Sequence, residues 1–137
     1  MKIFNFANII KALFVPVLVL AVLSVAAWMS PCISNTLKMG TASWYYEYSP
    51  GIRTTTASME IFDHDLLTCA SWDYPFDTVL EVTNAHNGKK VKVRVNDRGP
   101  SKDLYRQGRI VDLTKAAFKE IEDIRAGVTT VRVRVAD

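Results

Sequence analysis

The sequence predicts a small, mainly β barrel preceded by a hydrophobic N-terminal helix, on three observations. Between Met39 and Val135, about six short segments have strand character and one has the pattern of a clear helix. Valines alternate with charged or hydroxyl residues in Val91–Val95 and in Val128–Val135, which puts one face of each segment in a core and the other in solvent. Ahead of these, Ala12 to Met29 is an uncharged, largely apolar run of 18 residues. Short strands in so small a chain gain by closing into a barrel, which removes exposed edges and makes one core.

The apolar run is flanked by Lys2 and Lys11 on its N-terminal side, which keeps that end in the cytoplasm and exports the domain C-terminal to the run. Residues 1–29 therefore read as a signal peptide or a membrane anchor. Its length is at the low end for spanning and Pro16 would kink it, while Ser24-Val25-Ala26 and Val25-Ala26-Ala27 offer small-residue cleavage sites. Residues 30–38 form a polar linker, and residues 39–137 are the folded domain.

Within the domain, Met39 to Tyr46 is β-rich and aromatic, and Glu47 to Thr56, with Ser49-Pro50-Gly51, is a loop. Met59 to Phe62 reads as a short strand and His64 to Ser71 as a helical turn. Thr78 to Asn84 is a strand that His86-Asn87-Gly88 turns into Lys89–Asn96. Gln107-Gly108 precedes a short strand, Arg109-Ile110-Val111. Thr114 caps a helix whose apolar stripe is Ala117, Phe118 and Ile121, with Ile124 at its end. Gly127 ends that region, and Val128 to Val135 is the last strand.

Charge excludes one class of partner. The net +3 comes from Lys2, Lys11 and Lys38, whereas from Met39 onward 14 Lys and Arg face 14 Asp and Glu. A neutral domain without a basic face or an RNA-type aromatic motif gives no argument for nucleic acid. Two cysteines, Cys32 and Cys69, and two histidines, His64 and His86, lack metal-ligand spacing, and neither metal nor organic cofactor is expected. Cys69 lies in an apolar stretch and reads as a small core residue. A Cys32–Cys69 disulfide stays open in an exported chain. Lipidation of Cys32 is disfavoured, because Met29-Ser30-Pro31 lacks the small residue expected before it.

The candidate for chemistry is Asp97. The strand Val91–Val95 runs into Asn96-Asp97-Arg98-Gly99-Pro100, which breaks it and presents one carboxylate beside a guanidinium. The plainer reading is that Asp97 caps the turn by bonding its own backbone. Asp112 reads as structural, bonding backbone near the helix start at Thr114. Trp44 and Tyr45 read as barrel core, and both histidines as surface residues.

Several blocks in order resemble one family: Gly40-Thr41-Ala42-Ser43-Trp44-Tyr45, Thr56-Ala57-Ser58-Met59-Glu60 with Asp63, Leu67-Thr68-Cys69-Ala70-Ser71, Pro75-Phe76, Val82-Thr83-Asn84, Asn87-Gly88, Val93 through Pro100, and Gly108 through Thr114. Together they resemble the RlpA-like (rare lipoprotein A) double-psi β-barrel family of lytic transglycosylases, over roughly Gly40 to Val135. The resemblance implies a six-stranded double-psi barrel in the bacterial cell envelope, on the extracytoplasmic side, in contact with peptidoglycan glycan strands. It makes division-site proteins candidate partners. It implies cleavage of the glycan to 1,6-anhydro-muramyl ends, with Asp97 as general acid and then base. By the same resemblance Glu60, Asp63, Ser71 and Arg98 are groove residues that contact substrate, Arg98 alternatively orienting its loop. Ser71 stands where the family carries a histidine, so any proton-taking role of that histidine is lost here. A non-catalytic glycan-binding module is the competing expectation. A third is a structural envelope protein that uses the barrel only for protein contacts.

Overall fold

The computed structural model describes residues 36–51 and 53–137. The expected signal or anchor segment, Cys32 and most of the linker lie outside the described residues. Lys38, the last residue assigned to the linker, already belongs to the first strand.

Six strands close into a barrel: β1 (Lys38–Tyr45), β2 (Thr68–Ala70), β3 (Val79–Asn84), β4 (Lys90–Asp97), β5 (Arg109–Thr114) and β6 (Val128–Val135). Around the ring they run β1-β5-β2-β4-β3-β6. The pairs β1/β5 and β2/β4 are parallel and the other four are antiparallel. Exchanging β1, β2 and β3 with β4, β5 and β6 maps this ring onto itself, so the barrel is two interleaved halves. Two short helices, α1 (Lys102–Arg106) and α2 (Lys115–Ile121), flank β5.

The alternation in the sequence becomes the core. Val91, Val93 and Val95 of β4 and Val131 and Val133 of β6 are buried, while Lys92 and Arg132 on the opposite faces are exposed. Ala117, Phe118 and Ile121 of α2 complete that core, as their spacing predicts. Cys69 is a free, fully buried thiol among them, and burial pushes its pKa up.

Three elements differ from the sequence reading. The second strand is Thr68–Ala70 and not Met59–Phe62, where only an isolated bridge, Thr55 to Ile61, forms. The segment read as a helical turn therefore contains a strand buried at all three residues. The strand from Arg109 continues to Thr114, whose hydroxyl donates to the carbonyls of Leu66 and Thr68 rather than capping α2.

Candidate active site

Four neighbouring strands place one residue each in a row. Ser43 of β1 pairs with Asp112 of β5, Asp112 with Ala70 of β2, and Ala70 with Asp97 of β4. All four line one cleft of about 750 Å³.

A bulge aims Asp97 into it. Cys69 pairs with Val95, yet the next residue, Ala70, pairs with Asp97 and not Asn96. The extra residue turns Asp97 out of the inward series Val91, Val93, Val95, which is what a β-bulge does to a side chain. Once turned, Asp97 is held by Oδ1, which accepts from the amides of Ala57 and Arg98, each at 2.8 Å. Oδ2 is left for other partners.

The Ala57 amide comes from a tight loop strapped to β4. Ser58 N donates to the Asn96 carbonyl at 3.1 Å, Thr56 N donates to the Glu60 carbonyl at 2.8 Å, and Met59 takes a positive φ of 69°. Glu60 anchors the strap. Its carboxylate receives both terminal nitrogens of Arg94, at 2.7 and 2.8 Å, and the Asn96 amide at 3.1 Å. The Arg94 guanidinium, with help from Asn96, holds the Glu60 pKa down to about 2.

Arg98 is a latch. Its guanidinium donates to the carbonyls of Ser71, at 2.7 Å, and Tyr74, at 2.9 Å, and lies 3.8 Å from the centre of the Phe76 ring. These contacts fix the segment 71–76 against the mouth of β4. Those partners fit the loop-orienting role expected of Arg98, and its side chain also lines the cleft.

Among the residues assigned to the groove, Asp97 and Arg98 line the cleft, whereas Glu60, Asp63 and Ser71 do not. Glu60 is committed to Arg94. Asp63 folds its own turn, with Oδ1 accepting from Asp65 N at 2.9 Å. Ser71 is 1% exposed, and its hydroxyl accepts from Asp73 N at 3.3 Å. Ser71 reaches the site through its main chain, the amide donating to the Asp97 carbonyl and the carbonyl accepting from Arg98.

Asp112 departs from the structural reading its sequence suggests. It does not serve the backbone at the start of α2; the Ser43 hydroxyl donates to its Oδ1, and its side chain faces the cleft. Burial raises its pKa, against the opposing pull of the Ser43 hydrogen bond and of Arg109. A lone carboxylate inside the apolar run Ile110-Val111-Asp112-Leu113 is the available signal. Tyr45 is core, as expected, and stacks on Phe62 at 4.9 Å. Its hydroxyl, buried at the cleft, makes no hydrogen bond within the described residues. Burial first, then the fields of Asp97, Cys69 and Asp112, raise its pKa.

Aromatic rings stand around the row. Trp44 packs 5.6 Å from Tyr46, and both line the cleft with Trp72. The Trp72 indole donates to the Pro100 carbonyl at 2.6 Å, which fixes the ring. Such faces can stack on sugar rings. His64, expected as a surface residue, pairs with Glu47 and lies 3.5 Å from Asp65. His86 is exposed, as expected.

Residues 37–133 match a family model described as lytic transglycolase. The chain is 47% identical over 98 residues to a probable endolytic peptidoglycan transglycosylase RlpA of Treponema pallidum, covering 72% of this chain and 29% of that one. It is 41% identical over 97 residues to the endolytic peptidoglycan transglycosylase RlpA of Campylobacter jejuni, covering 70% and 33%. It thus spans about a third of the length of the curated relatives it matches. Among solved structures, a Streptomyces papain inhibitor superposes with a TM-score of 0.57 at 21% identity, over 74% of this chain and 96% of that one. An expansin from Clavibacter michiganensis gives 0.55 at 21% identity, over 74% and 51%. These two likenesses concern the fold alone.

Proposed function

Because the chain belongs to the lytic transglycolase family of double-psi β-barrels, we propose that its cleft cuts the glycan strands of peptidoglycan to 1,6-anhydro-muramyl ends. The observation that carries this reading is Asp97: a bulge turns its carboxyl into an aromatic-walled cleft, and two amides occupy one oxygen while the other stays available. The reaction needs a proton on the leaving glycosidic oxygen and a base for the muramyl C6 hydroxyl, which closes the ring. In the minimal scheme Asp97 does both in turn.

Arg98, Glu60 and Ser71 act through others. Arg98 and the Ser71 main chain hold the 71–76 wall, and Glu60 holds the strap that donates to Asp97. Substrate contact by Glu60, Asp63, Ser71 and Arg98 rests on the family resemblance. The domain works in the cell envelope on the extracytoplasmic side, anchored through residues 1–29 or released, where division-site proteins are candidate partners.

The second reading, a glycan-binding module without chemistry, is favoured by Ser71, which puts a buried hydroxyl where the family carries a histidine. Digestion of purified sacculi by the full chain, with mass analysis of released muropeptides, separates the two. Asp97→Asn keeps an oxygen for the two amides, so it is expected to pellet with sacculi while releasing no anhydro-muramyl products. Absence of such products from the unsubstituted protein, with pelleting intact, would leave the binding module.

A further inference from the structure

We propose that Asp112, oriented by Ser43, donates the proton to the leaving sugar oxygen, so that the cleft holds a separate acid and base instead of one carboxyl working twice. The inference rests on the glycan-cleaving reading above.

The row of paired residues is the basis. Asp112 and Asp97 sit on strands separated only by β2, so their Cα atoms are about 10 Å apart by strand spacing. From that separation two side chains facing one cleft can both reach a single glycosidic bond. The residue between them is Ala70, whose single methyl leaves the gap open. Gly99 guards the same space: a Cβ there would lie 3.0 Å from the Ala70 Cβ and 3.6 Å from Asp112 Oδ2.

The two carboxyls are held differently. Asp97 Oδ1 accepts two main-chain amides, which leaves Oδ2 as the atom to take a proton. Asp112 Oδ1 accepts one hydroxyl, and Oδ2 is the atom that can carry a proton. Its surroundings disfavour the charged form, because burial dominates. The groups that face it are Ser43 and Tyr45 from β1, Cys69 from β2, Asp97 from β4 and Arg109 from its own strand.

The step balances. As the muramyl C1–O4 bond breaks, the Asp112 Oδ2 proton passes to O4. The C6 oxygen bonds to C1, and its proton passes to Asp97 Oδ2. Proton transfer from Asp97 back to Asp112 through solvent restores both groups, with no net uptake.

The test pairs two substrates, sacculi and a 4-methylumbelliferyl glycoside of N-acetylglucosaminyl-N-acetylmuramic acid, whose leaving group needs no proton. Asp112→Asn is expected to lose on the order of 10²–10⁴-fold on sacculi while cleaving the aryl glycoside at nearly the unsubstituted rate. Asp97→Asn is expected to lose both. Ser43→Ala removes a hydrogen bond that favours the charged form of Asp112, so the alkaline limb of its sacculus pH profile should move to higher pH. Thermal unfolding and pelleting with sacculi report folding of each variant. Asp112→Asn cleaving sacculi within about threefold of the unsubstituted rate, an equal loss on both substrates, or an unmoved alkaline limb in Ser43→Ala would overturn the proposal. If the unsubstituted protein releases no anhydro-muramyl ends, the glycan-cleaving reading itself fails and this inference goes with it.

Discussion

Arg98→Ala is expected to cost about 3.5 kcal/mol of folding stability, each contribution taken at the low end of its range because the side chain is only half-buried. The guanidinium makes two hydrogen bonds, to the carbonyls of Ser71 and Tyr74, and covers the Phe76 ring. A bond to a charged group contributes about 1.5–3 kcal/mol net, and a cation over an aromatic face about 0.5–2. Both bonds leave one nitrogen, Nη1, so Arg98→Lys keeps the charge and part of the bonding but loses the flat guanidinium over Phe76, and about half the loss should remain. Urea unfolding at neutral pH measures both, and for a domain of this size the alanine variant should also melt roughly 12 °C lower or more. If both variants stay within about 0.5 kcal/mol of the unsubstituted protein, the guanidinium is not a latch. Unchanged stability together with lost pelleting on sacculi would make Arg98 a substrate contact instead.

Glu60→Gln addresses the strap. The Glu60 pKa is held at about 2 in the folded protein, so its contribution is present above pH 4.5 and disappears as pH falls towards 2. The pair is more than a third exposed, so the expected loss at pH 7 is only about 0.5–1 kcal/mol. Urea midpoints at pH 7 and pH 3 should differ less in the variant than in the unsubstituted protein, and an equal difference would contradict the assignment. Gly40→Ala tests the β1/β5 seam, because a Cβ there would sit 2.7 Å from the Gly108 carbonyl oxygen and 2.7 Å from Ile110 Cγ2. That overlap should cost about 2 kcal/mol and be visible in calorimetry; an unshifted melting temperature would show that the seam gives way easily.

The barrel is legible in the sequence because its long strands alternate. β4 and β6 announce one buried and one exposed face, and α2 announces its stripe. β2 escapes a sequence reading because Thr68-Cys69-Ala70 is buried on both sides and has no alternation; its partners on β4 and β5 make it a strand. The helix α1 is a little over one turn, without a buried residue or a side-chain cap to mark it. At the site, Asp97 can be found because a strand visibly ends there. The bulge that aims it cannot, since it exists only in the register with Ala70. Asp112 is hidden for the same reason. Its partner Ser43 is 69 residues away in sequence, so local pattern offers only the nearby helix start as a use for its carboxyl.

The interleaving of the two halves has a consequence for when this protein can act. Across the row, Ser43, Asp112, Ala70 and Asp97 come alternately from the first half, the second, the first and the second. Each parallel pair joins a strand of one half to a strand of the other, so neither half alone can form either pair. Such long-range pairings must pay loop-closure entropy before any contact rewards them. A full-length chain whose ring has not closed therefore carries every residue of the row and no row. Competence arrives with the closing of the ring, and a chain cut at the hairpin between β3 and β4 should be inert as either piece and regain its function only when both are mixed and refolded together.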